Sequence, residues 1–181
     1  MSHFKNIEED TFKINELELM EYHGYSGLSG KIKLRFNYVR SWIHHSLAFS
    51  STHSGFAIKM QKLRGVKIGK NCHISPYVLI DLIYPSMISI GSNVTIGSNT
   101  MIFAHYNPTA NAFLKEHGYP REVKKVTIND GAVIGPGSII TAGTIIGKNS
   151  IIGAGSVVSN EIPDFSVAVG NPVRVIKKIE S

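Results

Sequence analysis

The chain has 181 residues, of which 43% are hydrophobic and 18% are charged, and its formal net charge is +6. This length suits one domain, and the apolar content excludes a disordered chain. A single cysteine excludes an internal disulfide and a zinc site built from a cysteine cluster.

The first residues do not resemble a secretion signal. The sequence MSHFKNIEED is polar and acidic, whereas a signal peptide has a basic start followed by an apolar stretch. No apolar run reaches the roughly 18 residues that predict a membrane-spanning helix. We therefore expect a cytoplasmic protein.

Charge is distributed unevenly along the chain. Six of the 13 acidic residues lie within the first 21 positions, whereas the segment from Tyr22 to Ile80 has no acidic residue and nine lysines and arginines. Such a segment attracts anions. The candidate partners are the phosphates of a cofactor, an acidic glycan, lipid head groups or nucleic acid, and a solvated basic helix is the alternative.

Residues 1–65 are predicted to be mainly helical. Apolar residues recur there at helical spacing, and they are Ile32, Phe36, Val39 and Ile43, then Phe56, Met60 and Leu63. We expect this segment to cap one end of the core that follows, where strand edges need a cover.

A six-residue repeat organises the rest of the chain. An aliphatic residue starts each unit, and the series is Ile68, Ile74, Ile80, Ile90, Ile96, Ile102, Ile128, Ile134, Ile140, Ile146, Ile152 and Val158. Insertions of four and twenty residues interrupt it after Ile80 and Ile102. Four places after each start the residue is usually small, and the bulky exceptions, Tyr84 and Tyr106, adjoin the two insertions.

This period fits neither a helix nor a series of hairpins, which need other apolar spacings. A coil of short strands explains it, with the aliphatic side chain pointing inward and Gly, Asn or Asp at each corner, where positive φ angles are needed. Because three hexapeptides close one turn, the twelve units predict about four turns.

The strings IGSNVTIGSNTMIFAH, VTINDGAVIGPGSIITAGTIIGKNSIIGAGSVV and IPDFSVAVGNPVRVI resemble the hexapeptide-repeat acyltransferases over about residues 66–179. The likeness is to the O-acetyltransferase type, similar to galactoside, maltose and capsular-polysaccharide acetyltransferases. It implies a mainly β fold: a left-handed parallel β-helix of about four coils, with an N-terminal helical cap and a long loop after the second coil. We expect the cap at 1–65, the β-helix at 66–163 with its loop at 107–127, and a C-terminal strand and basic tail at 164–181.

The resemblance also implies a catalytic histidine. In similar enzymes a histidine at the end of a coil, just before an extended loop, is the general base, and here the string MIFAHYNP places His105 there. A sugar hydroxyl must lose its proton as it attacks a thioester, and neutral imidazole suits that task. A surface histidine in a turn is the alternative.

Asp81 is the predicted acceptor-binding residue. Similar enzymes carry an acid in an I-D-x-x-x-P arrangement, which IDLIYP matches. Repeat positions put the backbones of Asp81 and His105 on the order of 8 Å apart. That separation favours a carboxylate that holds the acceptor hydroxyl over one bonded to the imidazole, and a structural corner residue is the alternative.

The resemblance implies that acetyl-CoA lies along a groove between neighbouring β-helices. The matching positions are Ala142, Ala154, Ser159, Asn160, Arg174 and Lys177. Arg174 and Lys177 could neutralise the cofactor's phosphates. Several relatives have lysine where this chain has Asn160, which carries no charge for a phosphate contact. For Arg174 and Lys177, a solubilising basic tail is the alternative.

We expect an acetyl-CoA-dependent O-acetyltransferase of a sugar or surface glycan precursor, without a metal and active as a homotrimer. Other hypotheses are N-acetylation of an amino sugar, a non-catalytic hexapeptide scaffold, and a carbonic-anhydrase-like zinc enzyme using His73, His105 and His117. A membrane surface is a further candidate partner through basic residues 31–70, and nucleic acid is not expected. Apolar side chains that point outward favour the trimer, and they are Val133, Ile139, Ile145 and Ile151.

Overall fold

The computed structural model describes residues 11–108 and 111–180. The decapeptide on which the cytoplasmic expectation rests, which also begins the predicted cap, lies outside the described residues. So do positions 109–110 of the predicted loop and the last residue of the predicted tail.

Four α-helices occur in the described chain, three of them before the repeat. Their bounds are α1 Thr11–Tyr22, α2 Gly27–Ser50, α3 Ser54–Leu63 and α4 Ala112–Glu116. The side chain of His53 accepts a hydrogen bond from the backbone N–H of Phe56 and so caps the start of α3. Asn111 caps α4 in the same way through the N–H of Leu114. A short 3₁₀ turn, Pro85–Met87, occupies the four-residue insertion.

The strands are short and recur with the repeat. Their bounds are β1 Lys67–Ile68, β2 His73–Ile74, β3 Leu79–Ile80, β4 Ile88–Ile90, β5 Thr95–Ile96, β6 Met101–Ile102, β7 His105–Tyr106, β8 Glu122–Val123, β9 Val126–Ile128, β10 Val133–Ile134, β11 Ile139–Ile140, β12 Ile145–Ile146, β13 Ile151–Ile152, β14 Val157–Val158, β15 Ser166–Val169 and β16 Arg174–Lys178.

Three stacked parallel sheets form the faces of a β-helix. The strand orders are β1-β4-β9-β12, β2-β5-β10-β13-β15 and β3-β6-β11-β14. β16 adds to the second sheet antiparallel to β15, and β7 pairs with β8 at the base of the long loop. Ile134 pairs with Ile152, so one turn takes three hexapeptides in this part of the chain.

The inward aliphatic series forms the core, as the repeat predicts. Each of its twelve members is buried. Nine isoleucines of the core are almost fully enclosed, and they are Ile80, Ile88, Ile96, Ile102, Ile128, Ile134, Ile140, Ile146 and Ile152. The small position of the repeat carries buried hydroxyls that bond to backbone carbonyls; for example, Ser138 Oγ donates to the carbonyl of Gly135 at 2.8 Å.

Corner residues have two separate physical roles. Asn99 and Gly137 adopt positive φ angles of 60° and 69°, as predicted for corners. Glycines directly after the inward residue have a different role, because the next coil's backbone passes too close for a side chain. A Cβ on Gly135 would lie 2.5 Å from the backbone nitrogen of Ala154.

The first coil is covered by α3 and by the end of α2. Ser54 Oγ accepts a hydrogen bond from the N–H of Ile74 at 2.8 Å, and the carbonyl of Phe49 accepts one from the N–H of Tyr77 at 2.7 Å. These contacts satisfy backbone groups of the end strands that no further coil pairs.

The predicted apolar stripe of α2 is exposed in the described chain. Ile32, Phe36, Val39 and Ile43 are all exposed. The buried residues of α2 are Gly30, His45 and Ala48, which lie on another side of the helix. The apolar spacing therefore predicts the helix, but it does not predict which side of the helix packs.

Contacts divide the chain into two compact units. One comprises the residues up to Arg40 together with Tyr106–Glu122, and the other comprises Ser41–His105 and the residues from Val123 onward. The predicted cap, 1–65, therefore contributes to both units, and its boundary stays a prediction. No described helix is both long enough and apolar enough to cross a bilayer.

Candidate active site

Two predicted site residues, Asp81 and His105, are in direct contact. Asp81 follows β3 and His105 begins β7, just after β6, and β3 pairs with β6. Oδ2 of Asp81 lies 2.6 Å from Nδ1 of His105. The Asp81 side chain is fully buried, whereas that of His105 is 19% exposed.

The Asp81 carboxylate is enclosed by hydrogen-bond donors. Oδ1 accepts from the backbone N–H groups of Ile83 at 2.9 Å and Tyr84 at 3.0 Å. Oδ2 accepts from the N–H of Ala104 at 2.9 Å in addition to His105. Burial by itself raises the pKa of Asp81, but the hydrogen bonds from His105, Tyr84 and Ala104 outweigh it, so this pKa lies below its usual value. The carboxylate is therefore ionised at neutral pH.

The prediction that Asp81 holds an acceptor hydroxyl rather than the imidazole does not fit this geometry. Its carboxylate is bonded to His105 and presents no exposed atom to an acceptor. The repeat positions predicted only the distance between the two backbones. Two side chains that extend towards each other can bridge that distance, and those of Asp81 and His105 do so. The chain just before the four-residue insertion also supplies two of the N–H groups that hold the carboxylate inside.

The contact fixes the tautomer of His105. An ionised carboxylate can only accept hydrogen bonds, so Nδ1 carries the proton and the lone pair of the neutral ring lies on Nε2. Among the described residues, none hydrogen-bonds Nε2. The buried ring of Tyr84 packs edge-on against the imidazole, with ring centroids 5.0 Å apart, and holds its orientation.

A buried arginine fixes the backbone that carries Asp81. Nη2 of Arg64 donates to the carbonyls of Ile80 at 3.2 Å and Asp81 at 2.5 Å. Nε of the same guanidinium donates to Ser41 Oγ at 3.0 Å. These bonds connect α2, α3 and the end of β3, so they set where the carboxylate projects.

The other donors of Arg64 engage two side chains. Nη1 donates to Gln61 Oε1 at 2.5 Å and lies 3.1 Å from Nδ1 of His45. Burial, followed by the positive charge of Arg64, lowers the pKa of His45 to about 4. Burial lowers the pKa of Arg64 to about 10 despite the opposing effect of Asp81. At neutral pH the guanidinium is thus charged and His45 is neutral.

Sequence reasoning missed the supporting residues, Tyr84, Arg64 and His45. The sequence does contain one signal for Tyr84, since it is bulky at a repeat position that is usually small and it adjoins an insertion. Arg64 is one of nine cations in the acid-free segment, and nothing in the sequence distinguishes it from the exposed ones.

Three of the predicted donor-binding residues lie on the corner that follows the third sheet. Ile140 pairs with Val158, so Ala142 and Asn160 occupy equivalent positions on neighbouring coils, and Ser159 precedes Asn160. The chain leaves this same corner at Asp81 and, one coil later, just before His105. Ala142 is buried, whereas Ser159 and Asn160 are exposed.

The remaining three predicted donor-binding residues lie elsewhere on the β-helix. Ala154 is exposed on the corner that precedes the third sheet. Arg174 and Lys177 lie on β16, where Arg174 is opposite Val169 and Lys177 is opposite Val167. A β-bulge between these two residue pairs places both cations on the same outward face of the strand. The described geometry brings Asp81 and His105 together but does not bring all six donor residues to one corner.

The long loop has structure of its own and is bonded to α1. Glu18 of α1 pairs with Lys115 at 2.6 Å and with Arg121 at 2.9 Å. A cavity of about 370 Å³ lies within the loop, and its lining is Tyr106, Asn107, Pro108, Leu114, Gly118, Tyr119, Pro120 and Glu122. Within residues 11–108 and 111–180, no three His, Cys, Asp or Glu side chains are grouped so that they could hold a metal ion.

Comparison with known proteins gives the family. The family model described as bacterial transferase hexapeptide (six repeats) matches residues 125–160. A maltose O-acetyltransferase of Clostridium difficile 630 is 30% identical, with a TM-score of 0.65 over 82% of this chain and 89% of that one. The chain belongs to the hexapeptide-repeat acyltransferase family. Membership implies the left-handed winding of the β-helix.

Two further proteins are similar to the chain. A galactoside acetyltransferase in complex with coenzyme A is 26% identical, with a TM-score of 0.62 over 81% of this chain and 82% of that one. A candidate acetyltransferase of Bacillus subtilis (strain 168), YvoF, is 34% identical over 111 residues, which are 61% of this chain. The match spans 59% of that relative's length, less than two thirds.

Proposed function

We propose that this protein transfers an acetyl group from acetyl-CoA to a hydroxyl group of a sugar or glycan precursor, with His105 as general base. The observation that carries the proposal is the 2.6 Å bond between Asp81 and His105. It leaves a basic nitrogen on a partly exposed ring. The similarity to a maltose O-acetyltransferase favours a sugar hydroxyl as acceptor.

The reaction needs one base that later acts as an acid. Nε2 of His105 takes the hydroxyl proton while the oxygen attacks the thioester carbonyl, and a tetrahedral intermediate forms. When the carbon–sulfur bond breaks, the imidazolium returns the proton to the departing thiolate. Asp81 stays ionised throughout and stabilises the imidazolium, as a triad aspartate does.

The exposed cations of β16 suit the phosphates of the donor. Arg174 and Lys177 share an outward face, so one phosphate-bearing ligand could contact both side chains. Asn160 supplies no charge, and its amide can contribute hydrogen bonds only. In this proposal the donor lies with its acetyl group at His105 and its adenine end towards the C-terminal coils.

The positions of these residues favour a site shared between copies. Ala142 and Asn160 follow the third sheet, whereas Ala154 precedes it. One groove can be lined by both corners if the corner after the third sheet comes from one subunit and the corner before that sheet comes from the neighbouring subunit. A homotrimer provides such grooves, and it also covers outward apolar side chains such as Val133 and Ile151, which neighbour each other on the second sheet.

The loop cavity has a lining that suits a sugar. Tyr106, which lines it, is the next residue in the chain after His105. Tyr119 offers a second aromatic ring, and Asn107 and Glu122 offer polar atoms. Aromatic rings with a few polar groups suit a sugar, which has both apolar ring faces and hydroxyls.

Thiol release from acetyl-CoA tests the proposal directly. The purified protein is incubated with maltose, galactosides and amino sugars, and each product is analysed by mass spectrometry and mild alkali. We expect an alkali-labile ester. An alkali-stable amide would identify the N-acetyltransferase, and the absence of any transfer or CoA binding would support a non-catalytic scaffold.

A further inference from the structure

Helix α2 presents an apolar face that the rest of the described chain leaves exposed. Leu28 is 75% exposed, Ile32 62%, Phe36 67% and Val39 51%. Their spacings of four, four and three residues put them on one side of the helix. The same side continues along α2 to Ile43, which is also exposed.

This apolar face is not the packing side of α2. Further along the helix the buried residues are His45 and Ala48, which fall on another side. Single exposed apolar residues are ordinary, but a continuous apolar stripe over three turns indicates a binding surface.

Cations border the apolar face on both sides. Lys33 and Arg40 lie one turn before and one turn after Phe36, and Arg35 lies one turn before Val39. Lys33 Nζ lies over the ring of Tyr25 at 4.7 Å. No acidic residue occurs anywhere in α2.

One acidic residue from α1 partly neutralises this border. Glu16 pairs with Lys31 at 2.9 Å and with Arg35 at 3.0 Å. The Arg35 side chain nevertheless stays 73% exposed, so its guanidinium can still meet an external anion. The exposed Lys33 and Arg35 therefore keep positive charge beside the apolar face.

We propose that this face of α2 docks on the surface of an anionic lipid bilayer. The apolar residues would enter the boundary between head groups and acyl chains, and the bordering cations would meet lipid phosphates. A basic helix with a broad apolar sector binds anionic bilayers in this way. A second copy of the same face is a poorer partner, because it would bring two sets of cations together.

Trp42 provides a direct probe of docking. It is the only tryptophan in the chain, is 53% exposed, and lies one turn after Val39 beside the apolar face. On addition of vesicles of phosphatidylcholine and phosphatidylglycerol, we expect its emission to shift to shorter wavelength. Vesicles of phosphatidylcholine alone should cause little shift, and high salt should reverse the shift.

Flotation of the intact protein with the same vesicles separates the apolar and charged contributions. The double variant Ile32→Gln/Phe36→Gln should bind anionic vesicles about tenfold more weakly or worse, since each side chain loses apolar burial. Leu17→Gln is the control, because Leu17 is 52% exposed on α1. Lys33→Gln should weaken binding, whereas Lys148→Gln, an exposed cation of the β-helix, should not.

Three results would overturn the proposal. The first is a wild-type protein that does not float with anionic vesicles, and the second is a double variant that floats as well as the wild type. The third is a double variant that, without lipid, has a smaller assembly than the wild type, which would make the face an interface between copies. Circular dichroism confirms that each variant is folded, and no outcome depends on acetyl transfer.

Discussion

The carboxylate of Asp81 lies 2.6 Å from Nδ1 of His105, and it faces inward while the imidazole remains partly exposed. Substitution Asp81→Asn tests what this contact does. An asparagine amide can donate to Nδ1 and would favour the other tautomer, in which Nε2 carries the proton and cannot act as a base.

We therefore expect kcat of Asp81→Asn to fall by about 10² to 10⁴ with little change in the KM for acetyl-CoA. Asp130→Asn is the control, because Asp130 also accepts a backbone N–H, that of Ser92 at 2.7 Å, but lies on another corner. Steady-state kinetics measure both. If Asp81→Asn kept normal turnover, the carboxylate would serve only to hold the chain.

Stability should fall in mild acid because of His45. Its pKa is about 4 in the folded state against 6.5 as the usual value, so between these limits the unfolded chain binds a proton that the folded protein does not. Stability due to this group is fully present above pH 6.5 and decreases as the pH falls towards 4. The pKa of Asp81 is lowered too, so its contribution is lost at still lower pH.

Urea denaturation at pH 7.5 and pH 5 measures the effect. The free energy of unfolding should decrease by about 2 kcal/mol from His45 over this interval. His45→Gln should lack this part of the decrease, whereas His73→Gln, at an exposed position, should keep it. An unchanged pH dependence in His45→Gln would show that His45 does not titrate as described.

The affinity for acetyl-CoA should depend on one side of β16. Arg174→Ala and Lys177→Ala should each weaken binding, more strongly at low salt, because the attraction is between charges that salt screens. Lys178→Ala is the control, because Lys178 lies opposite the buried Ser166 in the strand pair and so is not on the face of Arg174 and Lys177. Calorimetry with CoA and 3′-dephospho-CoA measures the effect, and equal affinities in all variants would make the tail a solubilising end.

Activity should require a trimer with shared sites. Sedimentation should give an active species of about three times the 19.9 kDa chain. A mixture of His105→Ala chains and Arg174→Ala/Lys177→Ala chains, refolded together, should regain activity at low acetyl-CoA. In a mixed trimer some grooves contain His105 from one subunit and both Arg174 and Lys177 from its neighbour. An active 19.9 kDa monomer, or a mixture no more active than its parts, would contradict the shared site.

The sequence was sufficient for the core of the β-helix because a six-residue period has few physical solutions. Each inward position, such as Ile102, is buried as the repeat requires. The period also located Asp81 and His105 at one corner. It could not show their bond, because spacing along the chain does not specify where side chains point.

Regions outside the repeat were less predictable for a related reason. The apolar spacing of α2 indicated a helix, but the side that packs depends on partners such as Arg64 and the ends of the first coil. Polar contacts of Arg64 with Ser41 and Ile80 determine that packing. Such contacts join residues far apart in sequence and have no periodic pattern.

The turnover of His105→Ala tests the central claim most directly. With the best acceptor identified, thiol release by this variant should be about 10² to 10⁴ slower than in the wild type, with acetyl-CoA affinity unchanged, because only the chemical step loses its base. His73→Ala, at an exposed position on β2, should turn over normally. Wild-type turnover in His105→Ala would contradict the assignment of His105 as the general base.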